Sequence, residues 1–72
     1  MRYIAVFPTL TLAQKAARVL KNENIAADVI KVDSTRTRRG CSWGVAFDEG
    51  EVYRVRMIFS NQSITEREII KE

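Results

Sequence analysis

The 72-residue chain contains no histidine, and that absence removes the Cys-His pair, the commonest general base and the usual zinc ligand. Carboxylates, tyrosines, arginines and a thiol are what remain for chemistry. There is only one cysteine, Cys41, so an internal disulfide frame is excluded, and a free thiol makes a reducing compartment, the cytoplasm, the expected location. Nowhere does the chain hold the roughly 20 consecutive apolar residues that a membrane span needs. The apolar run at residues 3–7 is too short for a signal-peptide core, and Pro8, the sole proline, interrupts it. One thiol with scattered carboxylates does not make a conventional zinc site, except across a dimer interface. No metal and no cofactor is expected.

What is present describes an ordinary globular chain, with 46% hydrophobic and 29% charged residues. A chain of this length reads as one domain spanning residues 1–72, near the size at which only about 60% of the unfolded surface is buried and little is left to shape an elaborate cleft. The net charge of +3 favours an acidic partner or an anionic ligand.

Residues 2–7 are rich in β-branched and aromatic side chains and are stopped by Pro8, which predicts a strand; apolar residues on both its faces predict a central one. A helix follows. Thr11 and Gln14 have the spacing of a capping box, with Thr9 as the alternative cap, and Ala13, Ala16, Ala17 and Leu20 recur on one face. Asn24 suits the left-handed position that closes a helix. Residues 25–32 read as a second strand at a sheet edge, and residues 33–40, with no apolar side chain, as a long loop. From Cys41 the alternation is clean, with Cys41, Trp43, Val45 and Phe47 on one face and Ser42, Gly44 and Ala46 on the other. The large face is expected to pack on helices, and the small face to stand bare or to meet a second sheet in a dimer. Asp48 and Glu51 open a second helix carrying Val52, Val55, Ile58 and Phe59, although residues 52–57 also alternate as a strand would. Residues 64–70 read as a last edge strand, against a rival helix capped by Ser63 with Glu66.

Strand, helix, strand, strand, helix, strand is the ferredoxin-like α+β pattern, β-α-β-β-α-β, with a four-stranded antiparallel sheet and two helices on one face. In that topology the first and third strands are neighbours, so Cys41 is expected near the N-terminus of the first helix at residues 9–12. Helix N–H groups there favour an anion, and Arg36, Arg38 and Arg39 add positive charge, so that Cys41 is a thiolate-prone candidate nucleophile. Thr9, Thr11, Gly40 and the three arginines are the candidate anion- or partner-binding residues. The competing reading has Cys41 as a small buried hydrophobe and the arginines as a solvated loop.

Residues 2–7, the alanine-rich helix ending Arg18-Val19-Leu20-Lys21, Asn24-Ile25, and above all Gly40-Cys41 leading into Val45-Ala46-Phe47 and Asp48-Glu49 resemble the selenium/sulfur carrier-like family of small bacterial proteins. The resemblance implies a carrier rather than a stand-alone enzyme. Its single cysteine, here Cys41, holds sulfur or selenium as a persulfide or perselenide, received from a donor enzyme and passed to an acceptor protein. Ser42 and the arginine-rich loop depart from the family pattern, in which glycine commonly follows the cysteine. Two rivals come from other classes. One is an interaction or small-ligand module, pairing as a homodimer through its sheet face, with an incidental buried cysteine. The other is a basic nucleic-acid binder, disfavoured because the third strand has no aromatic motif for stacking bases.

Overall fold

Pro8 cannot donate to a sheet ladder, and Thr9 behind it is held extended, so the chain leaves a strand and begins a helix within two residues. The computed structural model describes residues 1–33 and 42–72. Strand β1 (Arg2–Phe7) ends at this junction and helix α1 (Leu10–Asn22) starts from it. The helix is capped by Thr9, whose Oγ1 accepts the Leu12 N–H at 3.2 Å. Of the two caps the sequence allows, Thr9 is the one used, because its carbonyl already accepts Ala13 N–H at 3.2 Å and Thr11 lies inside the first turn.

The spacing of Ala13, Ala16, Ala17 and Leu20 buries all four against the sheet. Asn24 adopts φ 63°, and the bonds from Asn24 N–H to Lys21 O at 3.0 Å and Ile25 N–H to Leu20 O at 2.9 Å close the helix. Strand β2 (Asp28–Val32) starts later than expected, since Ile25 and Ala27 are spent as buried plugs under the helix end. Strand β3 (Ser42–Asp48) follows.

Asp48 accepts the Gly50 N–H at 2.8 Å, capping a single 3₁₀ turn (Glu49–Glu51) that leads into α2 (Val52–Asn61). Helical spacing prevails over the strand alternative here because Val55 and Phe59, four residues apart, both reach the core. Phe59 meets Phe7 edge to face, centroids 5.8 Å apart. Ser63, at φ 58°, turns the chain toward β4 (Glu68–Lys71), which is shorter and later than the expected strand and replaces the rival helix.

The sheet order is β2-β3-β1-β4 and every pairing is antiparallel, which makes this a ferredoxin-like α+β fold. One face, with Ala5, Phe7, Val45 and Phe47, packs with Ala13, Ala16, Ala17, Leu20, Val55 and Phe59 into the main core. The opposite face corrects an expectation. Ser42, Gly44 and Ala46 are buried rather than bare, and Ile4, Val6, Val32 and Ala46 form a second buried cluster within the single chain. The small residues of β3 make room for large ones on its neighbours. Ile4 and Val32 close over Gly44, where a Cβ would stand 2.8 Å from Val32 Cγ2.

Candidate functional site

Three strands converge at the end of the sheet where β3 begins. The register sets Phe7 opposite Trp43 and Val32 opposite Ser42, so the first residues of β3 lie beside the last residues of β1, and Thr9, the cap of α1, is two residues beyond Phe7. The antiparallel pairing expected between the first and third strands is therefore present, while the expected place of Cys41 beside the helix start lies outside the described residues. On the other side of β1, Arg67 precedes β4 and is pinned by its backbone N–H to Val6 O at 2.7 Å. Its guanidinium reaches past the end of β1, and Nη1 donates to Ser42 Oγ at 3.2 Å.

Ser42 is only 2% exposed, and its hydroxyl accepts from a charged donor, a stronger bond than a neutral pair gives. The half-buried Arg67 thereby carries a positive charge to the strand position peptide-bonded to Cys41.

Of the candidate residues, Thr9 has its hydroxyl engaged in the helix cap, and Thr11 is exposed on the first turn of α1. Arg36, Arg38, Arg39, Gly40 and Cys41 lie outside the described residues. Arg67, bonded to Ser42 at this end of the sheet, is a residue that sequence reasoning did not single out. It stands between Glu66 and Glu68, where the strand and helix readings of the tail were both open, and only the strand directs it to β3.

The ion pairs at the other end of the sheet belong to stability. Arg2 pairs through Nε and Nη2 with Glu72 at 2.7 and 2.6 Å and through Nη1 with Asp28 at 2.9 Å. Chiefly its hydrogen bond to Glu72 raises the Arg2 pKa further above its ordinary value, so it stays charged throughout the working range. Among the described residues no group of three His, Cys, Asp or Glu is placed to hold a metal ion. No helix among them is long and apolar enough to cross a membrane.

A protein-family model described as "Putative Se/S carrier protein-like" matches residues 2–71. The chain belongs to that family. No curated protein and no solved structure matches it. For this Se/S carrier-like chain, the match covers all four strands and both helices, so the family relationship and the ferredoxin-like fold describe the same stretch.

Proposed function

We propose that the protein carries sulfur or selenium on Cys41 as a persulfide or perselenide, taking it from a donor enzyme and yielding it to an acceptor. The observation that carries this reading is the family match over residues 2–71. Helix α1 begins just beyond Phe7, the β1 residue opposite Trp43, and a helix N-terminus at that end of the sheet favours an anion.

The chemistry is an exchange. The Cys41 thiolate attacks the terminal sulfur of a donor persulfide; a new S–S bond forms to Cys41, the donor S–S bond breaks, and the donor departs as a thiolate. An acceptor thiolate then attacks the terminal sulfur on Cys41, which is released as a thiolate. Neither step changes the net redox state, and neither requires a second cysteine or a histidine. Arg36, Arg38 and Arg39, with Thr9, Thr11 and Gly40, would serve an acidic donor or an oxyanion.

The nucleic-acid reading loses further ground from the sheet. Its helix-free face holds the buried Ile4, Val6, Val32 and Ala46, and Trp43 packs against the core on the other side, which leaves no stacking platform on β3.

Intact-mass spectrometry under non-reducing conditions, after incubation with a persulfide-generating cysteine desulfurase, tests the carrier. The expected result is a reducible single-sulfur adduct on the wild type, absent from Cys41→Ser, and transferred to an acceptor protein faster than from a small thiol. If no adduct forms, and Cys41 alkylates as slowly as a buried thiol, the carrier reading fails in favour of an interaction module with an incidental cysteine.

A further inference from the structure

We infer that the outer edge of β2 and the basic outer face of α1 form a docking site for an acidic, extended protein segment, which pairs with β2 as a fifth strand. Helix α1 contains Lys15, Arg18 and Lys21 and no acidic residue, so one 13-residue element holds three positive charges. Beside it, β2 is an edge of the sheet among the described residues. Between the two runs an open groove of about 440 Å³, lined by Gln14, Ala17, Arg18, Lys21 and Val29.

Val29 is 36% exposed at the floor of this groove. Lys31, two residues on, shares its side of the sheet and is exposed. Asp28, the acid within β2, is on the opposite side of the sheet, paired with Arg2 at 2.9 Å, and Asp33, which follows the strand, has an interaction of its own. The surface is thus an apolar residue between cations, next to the outermost strand among the described residues.

That combination selects its occupant. A lysine on an edge strand opposes pairing with a second copy of the same basic edge, whereas a strand whose groove-facing residues, every second one, are in turn acidic and apolar would set an apolar side chain on Val29 and carboxylates toward Arg18, Lys21 and Lys31. Main-chain bonds then supply affinity and the charges supply specificity and salt dependence. A nucleic acid would use the cations but neither Val29 nor the backbone edge. The inference stands apart from Cys41 chemistry and does not rest on the carrier reading.

The test is a backbone-amide NMR titration of the full chain, at low salt, with a short peptide in which glutamate and valine take turns at every second position, with threonine between them. Expected are shifts confined to residues 28–32 and the exposed face of α1, at least about tenfold weaker binding by Arg18→Glu/Lys21→Glu, and weakening with added salt. Both substituted residues are exposed; if the reversal variant loses its dispersed spectrum, Arg18→Gln/Lys21→Gln replaces it with the same expectation. The inference is overturned by equal shifts from a lysine-valine peptide, by shifts centred elsewhere, by the same shifts from a single-stranded oligonucleotide, or by none at millimolar peptide.

Discussion

Arg67 and Ser42, separated by 25 residues, meet at 3.2 Å across the end of β1, the guanidinium donating to a hydroxyl that is almost wholly buried. The two partners are not equally exposed, and that decides what each substitution does. Arg67→Ala strands a buried oxygen and is expected to cost about 1–2 kcal/mol. Ser42→Ala leaves only a half-buried guanidinium that can turn to water, and should cost less than about 1 kcal/mol. Urea denaturation of the two variants measures the asymmetry. If Cys41 is the carrier thiol, Arg67→Ala also slows its alkylation by iodoacetamide at neutral pH, while Arg67→Lys restores part of the rate. An unchanged alkylation rate in Arg67→Ala would separate this cation from the thiol.

Gly44 owes its place to its neighbours rather than to its backbone. A Cβ there would collide with Ile4 Cγ2 and stand 2.8 Å from Val32 Cγ2, and both side chains are fully buried. Gly44→Ala is therefore expected to destabilise by about 1–3 kcal/mol through overpacking. In a double-mutant cycle, Gly44→Ala combined with Ile4→Ala should cost less than the sum of the two single changes, because the new methyl occupies space that the isoleucine vacates. Additive costs would mean that the methyl is accommodated some other way.

The first helix distinguishes its two threonines. Thr9 accepts from Leu12 N–H, so Thr9→Ala should cost about 1 kcal/mol, near the middle of the range for N-cap removal. Thr11, exposed in the first turn, has no such bond to lose, and Thr11→Ala should be neutral or slightly stabilising through alanine's helix propensity. Thermal unfolding of the pair, followed by circular dichroism, reads the difference. Equal losses would require a second cap.

Most of the fold was legible because periodicity reports which side chains share a face. The alanine repeat in α1, the alternation from Trp43 to Phe47 and the four-residue step from Val55 to Phe59 each match a buried set in the structure. Element ends were less legible, since they depend on bonds made at a distance. Residues 25–27 have strand-like composition, yet Ile25 closes α1 through Leu20 O and Ala27 fills the core below it. The burial of the small face of β3 was misread for a related reason. Gly44 and Ala46 look bare when β3 is considered alone, whereas the side chains that close over Gly44 belong to β1 and β2. The β1–β3 neighbourhood at the start of β3 followed from topology, while the Arg67–Ser42 contact depended on where β4 begins, the least determined boundary in the chain.

Ser63 and Asn24 offer a comparison of two residues in the same backbone region with different aptitude for it. Both have positive φ, 58° and 63°, and both follow a helix, where the left-handed conformation lets the next segment turn back onto the core. Asn24 N–H donates to Lys21 O at 3.0 Å and Ser63 N–H to Ser60 O at 3.3 Å; each next residue then donates to a carbonyl five positions back, Ile25 to Leu20 O and Ile64 to Phe59 O. The closures are thus alike, and the side chains differ. Asparagine tolerates this region better than most residues, while for others a left-handed residue costs roughly 1–2 kcal/mol in Cβ contacts. Glycine removes that cost but gives back about 0.5–1 kcal/mol by loosening the unfolded chain. Ser63→Gly should therefore stabilise the protein by up to about 1 kcal/mol, and Asn24→Gly by little or nothing. Ser63→Val moves the other way, because a β-branched side chain fits this region worst. The order of urea midpoints, with Ser63→Gly above wild type and Ser63→Val below it, checks the argument. A stabilised valine variant would contradict a left-handed Ser63 and, with it, the turn that sets the start of β4 and the position of Arg67.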